Sequence, residues 1–236
     1  MNNQIIIEPR FCGPPDSGNG GYTCGRLASF VEGPAEVTLL KPPPLAKPLT
    51  VIRADNRVLL LDGETTVAQA APAVVDIEIP APPTPAQADK SAIIHSMVDD
   101  HFFPSCFVCG TGRKPTDGLC IFPGVVEGKG YVATSWTPDV SFADCDGLVR
   151  NEIIWAALDC PGAWAIIAEQ MRVIVLGKLA VQILHRIKVN EKCIVLGWKI
   201  AEDGRKIMVG TALFSESGEL YACAKATWIE VKPKQL

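Results

Sequence analysis

Two segments of the sequence combine residue types that could bind and activate a small molecule. Residues 16–22 are rich in glycine, and Gly20 and Gly21 there precede a candidate helix, so backbone amides could approach a ligand closely. Unpaired amides at a helix N-terminus carry the positive end of the helix dipole and can polarise a carbonyl. Asp159 stands at the end of a second candidate helix, 147–159. A carboxylate at that end costs ~0.3–1 kcal/mol, which favours a functional role.

Structural roles are the alternatives for these residues. Asp159 could cap a following helix, 161–169, because Asp followed by Pro is an ordinary helix start. Asn19 is expected to cap the first helix, with orientation of a substrate carbonyl as the other role. Asp16 is a second acid near the glycines, and Glu152 is a reserve acid seven residues before Asp159 on the same helical face.

The closely spaced cysteines are Cys106 and Cys109, followed by Gly110. Nine cysteines in so large and apolar a chain do not suggest a disulfide-stapled scaffold, so most are expected to be free thiols. A structural zinc site usually shows a second cysteine pair or a nearby histidine, whereas Cys120 and Cys145 occur singly. The sequence therefore predicts no bound zinc and no cofactor.

Several classes of function are disfavoured by motif and composition. The sequence contains no G-x-S-x-G, P-loop or H-E-x-x-H motif, and its three histidines do not cluster. The net charge of −4 without a basic block argues against nucleic-acid binding. No apolar run approaches the ~20 residues of a membrane helix, and the first residues lack the basic region of a signal peptide. We therefore expect a cytoplasmic protein without a membrane partner.

A proline-rich stretch divides the chain. Prolines between residues 80 and 85 cannot lie inside a helix or a central strand, so residues 80–92 are predicted to be an extended surface linker. This boundary leaves a first unit of residues 1–79 and a second of residues 93–236.

The two units share a pattern of residue classes, which indicates an internal repeat. The matched segments are 33–41 with 177–185, 49–51 with 193–195, and 62–64 with 217–219. In the second unit, strand-like runs follow a buried helix, and an Asp-Gly hairpin turn joins two of them. These runs are 179–189, 192–201, 206–215 and 220–231, predicted to form a four-stranded antiparallel meander. A helix followed by such a sheet is an α+β arrangement.

The segment from Cys106 to Gly110, followed by Gly118 and Leu119, resembles the lead-in of hotdog-fold acyl-CoA thioesterases of the phenylacetate-pathway type. The resemblance implies an α+β double hotdog, in which each half is an antiparallel sheet wrapped around one central helix. The two helices, near 20–31 and 147–159, are expected to pack side by side. In such sequences the two cysteines are not metal ligands.

The resemblance also implies where the chemistry occurs. In this family a glycine at one helix start faces a carboxylate about two turns along the equivalent helix of the partner. Gly20 and Gly21 are the matching amides and Asp159 is the matching acid, whereas Ala28 and Asn151 occupy the reciprocal positions. One competent site and one degenerate site are therefore expected.

The predicted function is hydrolysis of an acyl-CoA or similar thioester at the interface of the two halves. Asp16, Asn19 and Glu152 are the candidate substrate-binding residues. The alternative is a non-catalytic hotdog protein that binds an acyl group or another small molecule. An acyl-CoA-like molecule is the expected partner, and self-association is compatible with the family because hotdog sheets often pair edge to edge.

Overall fold

The computed structural model describes residues 3–95 and 101–231. Within these ranges it contains one antiparallel sheet of eleven strands, four α-helices and two short 3-10 helices, Pro9–Phe11 and Val140–Phe142. The strands are β1 (Gln4–Ile6), β2 (Ala35–Leu39), β3 (Pro48–Ala54), β4 (Arg57–Asp62), β5 (Thr65–Pro72), β6 (Gly124–Val125), β7 (Val132–Trp136), β8 (Ile174–Ile183), β9 (Cys193–Asp203), β10 (Lys206–Ser215) and β11 (Leu220–Glu230). The helices are α1 (Gly20–Ala28), α2 (Pro85–His95), α3 (Asn151–Ala157) and α4 (Cys160–Ile167). None of the described helices is long and apolar enough to cross a membrane.

The strand order differs from the predicted meander. Strands β9, β10 and β11 are consecutive neighbours, and Gly204 turns the β9–β10 hairpin with φ of +56°, as its Asp-Gly sequence predicts. Strand β8, however, pairs with β11 and with β2, and it is not a hydrogen-bonded neighbour of β9. Alternating apolar residues predict a strand and its buried face, but they carry no information about which edges pair.

The sheet has the same strand order from both ends. From one edge of the sheet the order is β1-β3-β4-β5-β2. From the other edge, after the short edge strand β6, the order is β7-β9-β10-β11-β8. The two arms meet where Ala35 pairs with Val181 and Val37 pairs with Leu179. When segment 33–41 is matched with segment 177–185, as in the predicted repeat, Ala35 corresponds to Leu179 and Val37 corresponds to Val181. The register is therefore the one expected for two strands related by a twofold axis.

Helices α1 and α3 lie side by side, as predicted, although both are shorter than the predicted ranges 20–31 and 147–159. Glycines allow the close approach: a Cβ added at Gly25 would lie 2.6 Å from Glu152 Cα. Leu27 and Ile154 are fully buried beside this contact. The helix pair and the sheet face that covers it form the main core.

The predicted linker 80–92 is extended only as far as Thr84, and α2 begins at Pro85. Thr84 Oγ1 accepts a hydrogen bond from Gln87 N–H, and Gln87 Oε1 accepts one from Thr84 N–H. This reciprocal capping box starts the helix, and proline is favoured in the first turn because it needs no N–H partner there. The buried Ser91 then donates a hydrogen bond to the Ala133 carbonyl of β7. The linker prediction was therefore wrong from residue 85 onward.

Candidate active site

Asp159 lies between α3 and α4 with a side chain that is only 2% exposed. Its Oδ2 accepts a hydrogen bond of 2.8 Å from the Gly21 amide at the start of α1 and one of 3.1 Å from Asn19 Nδ2. Asp159 occupies the N-cap position of α4, as the cap interpretation expects, but its side chain makes no capping bond to that helix. The fold therefore brings together two segments that lie 138 residues apart.

Asn19 links the first helix to this carboxylate. Its Oδ1 accepts a hydrogen bond of 2.9 Å from the Tyr22 amide, which confirms the predicted N-cap, while its Nδ2 donates to Asp159. The side chain is 2% exposed. One amide group thus stabilises the helix N-terminus and orients the acid.

The second carboxylate oxygen of Asp159, Oδ1, is buried and has no hydrogen-bond partner among the described residues. Burial raises the pKa of Asp159 to about 7, against the lowering effect of the hydrogen bonds from Gly21 and Asn19. Near neutral pH the carboxyl group therefore exists in both protonation states. Such a group can accept a proton and return it.

Asp159 lies on the wall of a cavity of about 560 Å³. The apolar part of the wall includes Trp164, Leu176 and Trp228, and Gly20 of α1 lies beside them. A mostly apolar cavity with a few polar groups is typical of a small-molecule site. The cavity can therefore accommodate an apolar group next to Asp159.

The two glycines at the start of α1 have different roles. The Gly21 amide is occupied by Asp159, and a Cβ at Gly21 would lie 2.5 Å from Asp159 Cβ. Gly20 is the first residue of α1, so its amide has no acceptor within the helix, and it lines the cavity. Of the two amides predicted to face a ligand, that of Gly21 is therefore bound to Asp159, and that of Gly20 belongs to a residue of the cavity wall.

The two reserve acids are placed differently. Asp16 is exposed and lies on the cavity wall near Gly20. Glu152 is in the first turn of α3, where its Oε1 lies 3.8 Å from Arg150 Nε, and it is not among the described residues that line the cavity. The predicted shared helical face of Glu152 and Asp159 does not form, because α3 ends at Ala157, before Asp159.

Sequence reasoning missed a cluster of thiols beside Asp159. Cys160, the first residue of α4, lies with Cys106 and Cys109, and the three Sγ atoms are within 4.8 Å of one another. His101 Nε2 is 3.3 Å from Cys109 Sγ. The premise that Cys106 and Cys109 lack further ligand groups was therefore wrong. The one hint of this cluster in the sequence was that Cys160 directly follows the candidate acid Asp159.

No family model and no curated protein sequence matches the chain. Solved structures do match. The tesB protein MAP1729c of Mycobacterium avium subs paratuberculosis is 13% identical, with 97% of this chain and 92% of that one covered and a TM-score of 0.63. Acyl-CoA thioesterase II TesB2 from Mycobacterium marinum is 12% identical, with 99% and 94% covered and a TM-score of 0.61.

At these identities the similarity lies in the fold, since one fold can carry different sites. The alignments span nearly the whole of this chain and more than nine-tenths of each of these two structures. They therefore include both arms of the sheet and both helices of the α1–α3 pair. The chain has the hotdog fold of the thioesterase II structures.

Proposed function

We propose that this chain is a thioesterase that hydrolyses an acyl-CoA or similar thioester in the cavity beside Asp159. The observation that carries the proposal is the state of Asp159: a buried carboxylate, held through one oxygen by the start of α1, with its other oxygen unpaired among the described residues. The names of the structural neighbours, thioesterase II and acyl-CoA thioesterase II, support the same reaction class.

The architecture proposed for this activity is a double hotdog formed by an internal duplication. Units 1–79 and 93–236 would each contribute one arm of the sheet and one central helix. The mirrored strand order and the symmetric β2–β8 register support this division. When the cap residue Asn19 is matched with the cap residue Arg150, Ala28 falls on Asp159. The reciprocal site then lacks an acid, so one site per chain is active.

The proposed reaction starts with a water molecule next to Asp159 Oδ1. The carboxylate takes a proton from this water molecule while the water oxygen attacks the thioester carbonyl carbon. The Gly20 amide donates to the carbonyl oxygen as negative charge develops on it. The C–S bond then breaks, and the sulfur receives the proton from Asp159, so the products are a carboxylic acid and a thiol.

Direct attack by Asp159 is the second route to the same products. The carboxylate would attack the carbonyl carbon, and the C–S bond would break as a mixed anhydride forms between Asp159 and the acyl group, so that the thiolate leaves and takes a proton from solvent. Water would then cleave the anhydride, which releases the carboxylic acid and restores Asp159. Rapid quenching of a single turnover, followed by peptide mass spectrometry, distinguishes the two routes. The general-base route leaves the Asp159 peptide at its native mass throughout, whereas the anhydride route adds the mass of the acyl group to that peptide after the thiol leaves and before the carboxylic acid is released.

The proposal is tested by exposing the purified protein to a panel of acyl-CoA thioesters and detecting the released thiol with a thiol-reactive dye. Turnover of at least one acyl-CoA, with saturation kinetics, is the expected result. Tight binding of acyl-CoA without thiol release for every member of the panel would instead favour the non-catalytic binding protein.

Lys41, a charged residue on the cavity wall, is expected to contact a phosphate group of CoA. Lys41 is exposed and lies on the cavity wall. Lys41→Glu is expected to raise KM for an acyl-CoA about threefold to tenfold with little change in kcat, because a rim charge facing phosphate contributes modestly. The effect should shrink at high salt. KM for the matching acyl-N-acetylcysteamine, which has no phosphate, should not change.

The control for this prediction is Lys129→Glu, which makes the same charge change at an exposed lysine outside the cavity wall. Equal effects of the two substitutions on KM, or an equal effect of Lys41→Glu on both kinds of thioester, would contradict a phosphate contact at Lys41.

A further inference from the structure

Three buried thiols converge beside the cavity from two distant parts of the chain. Cys106 and Cys109 lie in the turns that precede β6, and Cys160 is the first residue of α4. The Sγ atoms of Cys106 and Cys160 are 3.8 Å apart, and all three Sγ atoms lie within 4.8 Å of one another. All three side chains are at most 5% exposed.

These distances suit a tetrahedral metal ion. Zinc binds cysteine sulfur at about 2.3 Å, so two sulfurs on one tetrahedral zinc are separated by about 3.8 Å. The spacing of Cys106 and Cys160 equals that value. An ion placed among the three sulfurs would need only small side-chain movements to reach all of them.

The backbone around the first two cysteines is built as a tight turn. Gly110 N–H donates a hydrogen bond of 2.9 Å to the Cys106 carbonyl. A Cβ at Gly110 would lie 2.5 Å from that carbonyl oxygen and 2.5 Å from the Pro104 carbonyl oxygen. Glycine is therefore required directly after Cys109, and the turn holds the two sulfurs on the same side.

His101 supports the cluster from outside. Its Nδ1 accepts a hydrogen bond of 2.9 Å from Phe103 N–H, so the proton of the neutral ring is on Nε2, which faces Cys109 Sγ at 3.3 Å. His101 can therefore donate through Nε2 to the Cys109 sulfur, and a donor of this kind beside a sulfur ligand is common around a metal centre.

We propose that Cys106, Cys109 and Cys160 bind one zinc ion through their thiolates. Three soft sulfur ligands select thiophilic ions such as zinc. All three cysteines belong to the cavity wall, so the fourth ligand position is open to the cavity, where water can occupy it. The ion would fasten the 104–112 turns to the first residue of α4, next to Asp159. This inference does not depend on the thioesterase proposal.

The first experiment measures metal content in the full-length chain purified under reducing conditions without chelator. Elemental analysis is expected to give one equivalent of zinc for the wild type and a loss of most of it in Cys106→Ser, Cys109→Ser and Cys160→Ser. Cys193→Ser and Cys223→Ser are the matched controls, because these cysteines are also buried but lie in β9 and β11, away from the cluster. They should retain the zinc.

The second experiment does not require any variant to fold. The wild type is depleted of metal with a chelator, checked by circular dichroism, and titrated with Co²⁺, which should produce thiolate-to-cobalt charge-transfer absorption that Zn²⁺ abolishes. A folded, fully reduced wild type that binds neither ion would overturn the proposal. Stoichiometric zinc that survives in Cys160→Ser with unchanged affinity would also overturn it.

Discussion

Asp159→Asn is expected to lower kcat by roughly 10²–10⁴, the usual contribution of a positioned acid–base group. Asparagine keeps the size of the side chain and can still accept from the Gly21 amide, but it cannot take a proton from water. The measurement is initial-rate kinetics on the best acyl-CoA of the panel. The KM value should change little, because the neutral and charged side chains fill the same space.

The same substitution is expected to stabilise the fold at neutral and alkaline pH. Asp159 has a pKa of about 7 in the folded chain and 3.8 as its ordinary value, so the folded state holds its proton more tightly than the unfolded state. Below pH 3.8 both states are protonated and the carboxyl has no cost. As pH rises to about 7 the wild type loses stability relative to Asp159→Asn, and above that pH the difference is constant.

Denaturant unfolding of both proteins between pH 4 and pH 9, with reductant and a chelator present to keep the cysteine cluster metal-free, measures this difference. The expected variant is inactive, and its free energy of unfolding equals that of the wild type at low pH and exceeds it by a few kcal/mol at high pH. Asp16→Asn and Glu152→Gln are matched acid-to-amide controls and should keep their activity. An active Asp159→Asn variant would instead move the assignment to Asp16, the one of these two acids that lies on the cavity wall.

Gly25→Ala is expected to destabilise the fold by about 1–3 kcal/mol, the usual cost of overpacking a well-packed core. Alanine normally stabilises a helix by up to about 1 kcal/mol over glycine, so the sign is reversed here. The reason is the contact with α3: the new Cβ would lie 2.6 Å from Glu152 Cα and 2.8 Å from Trp155 Cβ. The helices must separate, and the Gly21 amide, one turn earlier, then moves away from Asp159. A lower kcat should accompany the lower stability.

Gly20→Ala is the control within the same helix. Its Cβ would lie 2.8 Å from Leu176 Cδ2, the end of a flexible side chain that can move. Urea unfolding should therefore show a much smaller loss for Gly20→Ala than for Gly25→Ala. Equal stability of Gly25→Ala and the wild type would contradict the close packing of α1 against α3.

Much of the candidate site could be inferred from the sequence together with the family resemblance. Asn19 is predicted as the cap of α1 by its position, and Gly20, Gly21 and Asp159 are assigned to one site by the resemblance. The local part of these inferences depends on short-range rules: capping is decided within three residues, and a glycine-rich helix start is visible in the sequence. The capping box at Thr84 is equally local, but the neighbouring prolines obscure it.

The β9–β10 hairpin and the buried faces of the strands follow from the sequence alone, because an Asp-Gly turn and the alternation of apolar residues act over a few residues. Tertiary structure alone decided the pairing of β8 with β2 and β11, the division of roles between the Gly20 and Gly21 amides, and the meeting of Cys160 with Cys106 across 54 residues. Such contacts depend on how the whole sheet closes around the helix pair, and no local pattern specifies which distant edges and side chains meet.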